Sequence, residues 1–266
     1  GAPEGEGVLR DRAMGELLAD LAASNPGLVV VTSRVKLGSL QAFEDGALKT
    51  LWLRPFSDGD GMALLKYLGV QGRDEELVAT VREAHGHPLT LSLLGNLLHE
   101  AYGGDIRQRS AVVSLKPGSS QGIHAQHVMA AYDRWFKSES DRAVLRLLGL
   151  FDRPAPVAAL QALRAAPAVA GLNEALVGLS DGAWNQTLSR LRRAGLVEPE
   201  NAQDATSVDT HPLVREYFGE RLKQENEAAW KEGHARLYAW YAASAKPLPD
   251  TAEEMAPLYA AVYHGC

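Results

Sequence analysis

The sequence predicts a mainly α-helical fold with a small α/β remnant near its start, and three observations carry that expectation. Apolar residues recur at helical spacing through most of the chain from Ser57 onward. Only two stretches, Leu28-Val29-Val30-Val31 and Thr50-Leu51-Trp52-Leu53, read as strands, the first a continuous apolar run of the kind a parallel strand covered on both faces shows. Late in the chain, three helical segments lead into two short apolar pairs separated by a polar turn, which is the order of a helical domain closed by a β-hairpin.

Composition sets the limits. The chain has 266 residues, of which 46% are hydrophobic, enough to bury a real core, and its length suggests about two domains at roughly 150 residues each. A net charge of −6 argues against the broad basic surface that supplies affinity for a phosphate backbone, so nucleic acid is not the expected partner. The one cysteine, Cys266, excludes an internal disulfide framework and fits a reducing compartment, with the cytoplasm as the expected location. No apolar run approaches the roughly 18 residues of a membrane span. The Gly-Ala-Pro-Glu start carries neither the basic nor the apolar region of a signal peptide. A start without Met, and an end inside a predicted helix over Pro257 to His264, lead us to expect a piece of a longer protein.

In chain order, Asp11 caps a helix with Met14, Leu17, Leu18 and Leu21 on one face, broken by Ser24-Asn25-Pro26-Gly27. Two strands cannot form a doubly covered sheet, so residues 1–55 read as the trailing part of an α/β domain. From 56 to 102 the pattern is a small helical bundle. Ser57 with Asp60 resembles a capping box, Gly69 stops the first helix, Asp74 caps the second, and Pro88 opens a leucine-dense third. Residues 103–122, with Gly103-Gly104 and Pro117-Gly118-Ser119-Ser120, have the least periodicity and read as a linker. The unit over 123–223 contains a helix capped by Ser138, a turn at Asp152-Arg-Pro-Ala-Pro, a helix with Val157, Leu160 and Leu163, and a helix from Ser180 or Asp181 with Trp184, Leu188 and Leu191. A hairpin of Leu196-Val197 with Ser207-Val208 follows, which makes the order that of a winged helix-turn-helix. Thr210 then caps a helix burying Leu213, Val214, Tyr217 and Phe218. The rest, 224–266, is an aromatic-rich helix and a last helix, resembling the start of a tetratricopeptide-like repeat region.

Catalytic motifs are absent. The sequence has no G-x-x-x-x-G-K-[ST] phosphate loop, no acidic pair after an apolar strand to hold magnesium, and no G-x-S-x-G. The eight histidines are scattered; His124 and His127 share a helical face, but an isolated pair of this kind is ordinarily solvated surface. The chain alone is expected to catalyse nothing.

One stretch, Val29-Val30-Val31-Thr32-Ser33-Arg34, resembles the strand and polar tail that carry the sensor arginine of STAND-class signalling ATPases, the group that includes NB-ARC and NACHT proteins. A guanidinium at a strand's carboxyl end can bind a terminal phosphate bidentately. The resemblance therefore implies that Arg34, with Thr32, contacts ATP but not ADP. Gly86-His87-Pro88-Leu89 is similar to the family's G-x-P motif, which implies that Pro88 packs on adenine, with Gly86 beside it; a plain helix start explains the same two residues without any ligand. Thr210-His211-Pro212 falls where the family has M-H-D, whose histidine meets the β-phosphate of ADP. His211 carries over, whereas Thr210 and Pro212 depart from the pattern. Without a ligand, this stretch is a capped helix N-terminus.

The resemblance implies the end of a P-loop NTPase sheet, a helical lid bundle, a winged helix and the first helical repeats. Its function would be a switch that couples ATP/ADP exchange to rearrangement and oligomerisation. ATP or ADP with Mg would bind in the parent protein through an upstream P-loop region, and none is expected to bind tightly to this chain alone. A homo-oligomer on activation and a protein partner on the C-terminal repeats are the implied associations. Two other classes stay open. Arg190, Arg192 and Arg193, with Arg153 and Arg164 nearby, could make the winged helix a DNA reader. Trp230, Trp240 and Tyr241 could give an adaptor a sticky face, although aromatics at this spacing are usually core.

Overall fold

The computed structural model describes residues 7, 9, 11–33, 35–44, 46–112, 121–200 and 206–266, with 111, 112 and 121–124 described by their backbone alone. It is mainly helical, with a sheet of two short strands, and it divides into two compact units, Gly1–Arg54 and Pro55–Cys266.

In the first unit, α1 (Arg12–Ser24) forms where the apolar spacing places it, and the Asp11 carboxylate accepts from the Ala13 and Met14 amides. No residue of α1 is buried; on its apolar face Met14 and Leu17 are exposed and Leu18 and Leu21 half-buried. The two expected strands do not form: 28–31 and 50–53 carry no ladder, and Leu28 is 89% and Leu53 96% exposed. A strand is stable only when a neighbour takes up its backbone groups, and neither run has one among the described residues.

The second unit begins with α2 (Asp58–Tyr67), α3 (Asp74–Glu83) and α4 (Pro88–Tyr102). Ser57 caps α2, its Oγ accepting from the Asp60 amide, whereas Asp74 is the first residue of α3 and not its cap. The Glu76 carboxylate satisfies that end instead, accepting from the Arg73 amide at 3.0 Å. Much of the expected linker is ordered. Gln71 donates to Gly104 O at 2.7 Å and receives the Ile106 amide at 3.0 Å, and Ile106 is fully buried. A 3-10 turn (Ile106–Gln108) and α5 (Arg109–Val112) follow, and the remainder of the linker, 113–120, lies outside the described residues.

Next come α6 (Gln121–Trp135), α7 (Glu139–Leu148), β1 (Ala155–Pro156), α8 (Val157–Arg164), α9 (Asp181–Arg193) and β2 (Ser207–Val208). The hairpin differs from expectation. β2 pairs antiparallel with β1, Ala155 opposite Val208, and from the 196–198 stretch the Glu198 amide donates to Asp209 O at 2.9 Å. Between α8 and α9 runs a coiled turn held by Asn173. Its fully buried amide donates to Leu163 O and Ala165 O and accepts from the Val169 amide. The chain closes with α10 (Pro212–Glu225), α11 (Glu227–Ser244) and α12 (Ala252–Gly265). Asn226 alone joins α10 to α11, its Oδ1 capping α11 at the Ala229 amide.

One hydrophobic core runs from Leu65 to Ala261 without a break at the linker. Each fully buried leucine in it, such as Leu77 or Leu147, contributes about 1.5–3 kcal/mol. The bundle and the following domain are thus packed together. α4 lies on α6, α6 on α10, α7 on α9 and α10, and α11 on α8, α10 and α12. Where α7 ends against α10 the backbones almost touch, since a Cβ on Gly219 would lie 2.4 Å from Gly149 O.

Candidate functional site

Two helix N-termini in the second unit carry the sequence-predicted residues that the structure describes best. At the start of α4, Gly86 has φ +63°, and a Cβ there would lie 2.3 Å from Phe56 O. Its carbonyl accepts the Phe56 amide at 2.8 Å. Glycine is therefore demanded by the backbone, which turns left-handed and presses against the strap entering α2. His87 is the N-cap, its Nδ1 accepting from the Thr90 amide at 3.3 Å. Pro88 occupies the first turn, where its missing N–H costs nothing, and its ring is exposed. An exposed apolar ring at a helix start can cover the face of a planar ligand, and the local geometry is complete without one.

The start of α10 is built more tightly. Thr210 is buried, and its Oγ donates to Leu196 O, so it does not cap the helix. The cap is His211, whose Nδ1 accepts from the Leu213 amide at 3.2 Å. Asp209 braces the turn. Its Oδ1 accepts from the Thr210 amide at 2.7 Å and from the guanidinium of Arg215 at 2.9 Å. Sequence reasoning missed this pair. An acid two residues before the cap, with an arginine one turn into the helix, is the signal that marks it.

The bond at Nδ1 fixes the chemistry of His211. A ring nitrogen that accepts cannot also carry the proton, so the neutral ring holds its proton on Nε2, and that N–H is the group left for an anion. Burial pulls the His211 pKa below its ordinary 6.5, with Glu198 and Asp209 opposing and the Arg215 charge assisting. The imidazole is thus a neutral donor at pH 7, set at the positive end of a helix dipole.

Thr32 belongs to the first unit and is exposed, outside any strand, and Arg34 lies outside the described residues. Gly86, Pro88 and His211 fall in the second unit and Thr32 in the first. Among the described residues no three His, Cys, Asp or Glu side chains converge on a possible metal site, and no helix is long and apolar enough to cross a membrane. His127 Nδ1 is buried without a partner, and the side chain of His124 lies outside the described residues.

The arginines expected on a DNA-reading face are engaged within the chain. Arg190 pairs with the buried Asp141 at 2.7 Å, Arg192 with Glu200 at 3.5 Å, Arg193 with Glu100 at 3.8 Å and Arg164 with Asp181 at 2.7 Å. Arg153 pairs with Asp152 at 2.8 Å. Tyr241 is in the core and Trp230 and Trp240 are half-buried against it, so the aromatics of α11 mainly hold the fold.

No protein-family model matches the chain, and a search of curated proteins finds no match either.

Proposed function

We propose that this chain is the switch half of a STAND-like signalling ATPase, coupling ATP/ADP exchange with Mg to domain rearrangement and oligomerisation. In this reading residues 1–55 are the end of the P-loop NTPase sheet, 56–102 the lid bundle, 123–223 a winged helix and 224–266 the first helical repeat. The observation that carries it is the placement of His211 directly after β2, with Nδ1 tied to the Leu213 amide and Nε2–H left to donate. Support also comes from the order α7, β1, α8, turn, α9, β2, which is that of a winged helix, and from the exposed Pro88 at the start of α4. A ligand drives such a switch only by contacting its two states differently. Arg34 would answer ATP and His211 would answer ADP.

The test is nucleotide retention in the full-length protein. His211→Ser keeps a cap on α10 and removes the imidazole donor. We expect faster ADP loss and a higher basal level of oligomer; unchanged ADP retention refutes the latch. The DNA-regulator reading draws less support, because the arginines of α9 are engaged by Asp141, Glu200 and Glu100.

A further inference from the structure

The α11–α12 hairpin holds two histidines in direct contact. His234 of α11 and His264 of α12 face one another with Nδ1 to Nδ1 at 2.9 Å. At that separation one proton lies between them. One ring is the Nδ1–H donor, and the other accepts through a bare Nδ1. Their surroundings are mostly dry and aromatic. Tyr241 stacks on His264 at 5.5 Å with the planes 9° apart, Phe151 meets the same ring edge-on at 5.8 Å, and Trp230 lies 4.2 Å from His234. His264 is 7% exposed.

We propose that this pair is an acid-operated hasp, which holds α12 on α11 while the rings share one proton and releases it when the pair must take up more. A first added proton can sit on the Nε2 of the donor ring, leaving the bridge intact but placing a charge in a desolvated site. A second must go to the accepting Nδ1, which sets two N–H groups against each other and breaks the contact.

The neighbouring charges do not rescue the protonated pair. From the turn after α7, Asp152 favours the charged form of His264, but Arg153, with which it is paired, opposes it. From α10, Lys223 lies over the Trp230 ring and opposes protonation of His234. His234 also walls a cavity of about 270 Å³ with Arg215, Glu216, Glu220 and Tyr263. Of these, Arg215 is tied to Asp209 and the two glutamates are exposed on α10. Burial is the largest cause holding both histidines below 6.5, and His264 is brought to about 4. Groups whose pKa is lower in the folded state contribute stability that is whole above 6.5 and is lost as pH falls towards 4. The element freed is local, because α12 packs chiefly on α11.

Hydrogen exchange of the intact chain from pH 7 to pH 5, corrected for intrinsic rates, tests the hasp. Amides of α12 should lose protection by up to tenfold per pH unit for each proton taken up, while amides of α4 hold theirs. The double variant His234→Gln, His264→Phe removes both titrating rings and should make α12 protection independent of pH, whereas either single variant leaves one buried ring and should only reduce the slope. The imidazole titrations of the unmodified chain, followed by NMR, supply a readout that needs no variant. Constant α12 protection, a parallel fall in α4 and α12, or titration of His264 at its ordinary pH overturns the proposal.

Discussion

Arg190 reaches from the last turn of α9 to the carboxylate of Asp141 on α7, with Nη2 2.7 Å from Oδ1, while Thr187 Oγ accepts from the same guanidinium nitrogen at 3.0 Å. Asp141 is 4% exposed, so the arginine is the counter-charge that allows a carboxylate to sit between two helices. Replacing Arg190 by Ala leaves that carboxylate buried with its charged hydrogen bonds gone. A loss of about 1–3 kcal/mol is expected for such a group, read as a lower midpoint in urea unfolding. The half-exposed arginine head keeps the figure towards the low end. A variant as stable as the parent would show that the pair is not what holds α7 to α9.

Tyr132 makes a second such tie. Its hydroxyl is within hydrogen-bonding distance of Leu93 O at 3.0 Å and Ala194 O at 2.6 Å, so α4, α6 and the end of α9 meet on one oxygen. Burial keeps this phenol protonated by raising its pKa well above the ordinary value. Tyr132→Phe keeps the ring packing and removes the donor, and should cost about 1–2 kcal/mol. Because the tie spans the bundle and the domain after it, hydrogen exchange should quicken on both α4 and α9. A change confined to α6 would argue against their being one cooperative body.

The helices were legible in the sequence because each signal is local. The 3.6-residue apolar period, Ser57 and Ser180 as caps, Pro88 at a first turn and Gly195 past an end all fall within one or two turns of the residues they organise. What was hidden depends on distant partners. Ala155-Pro156 is a strand only because Ser207-Val208 lies beside it, and two residues after a proline turn show no periodicity. The runs at 28–31 and 50–53 have strand composition but no strand neighbour among the described residues, and composition cannot supply one. At the candidate site, His211 could be singled out from Val208-Asp-Thr-His-Pro, but its partner at Nδ1 could not. Whether Thr210 or His211 caps α10 depends on Leu196, fourteen positions upstream, which draws the threonine inward.

Gly86 gives a sharp separation of structure from ligand. Alanine there must adopt φ +63° with its Cβ 2.3 Å from Phe56 O, and neither can relax without moving the strap into α2. We expect Gly86→Ala to cost about 1–3 kcal/mol, whereas Pro88→Ala, at an exposed first-turn position, should change stability by only a few tenths of a kcal/mol. If Pro88 lies on a nucleotide base, the second substitution weakens nucleotide binding in the full-length protein without lowering the unfolding midpoint. Equal loss of both would make Pro88 a structural residue alone.

The ionisation of His211 provides the last prediction. In the ligand-free chain burial holds its pKa below 6.5, so the cap it provides is whole above pH 6.5 and weakens as pH falls through the lowered folded value. Protonation puts a hydrogen on Nδ1, which must then release the Leu213 amide and faces the positive end of α10. His211→Ser should therefore flatten the stability profile of α10 between pH 7 and pH 5 without lowering stability at pH 7, since serine caps as well as or better than histidine. A phosphate near Nε2 acts in the opposite sense, favouring the charged ring and raising its pKa. NMR titration of the His211 imidazole, with and without ADP in the full-length protein, checks both halves: the ligand-free resonance should titrate below 6.5 and move upward when the diphosphate binds. A titration that ADP leaves unmoved would mean that His211 is only the cap of α10.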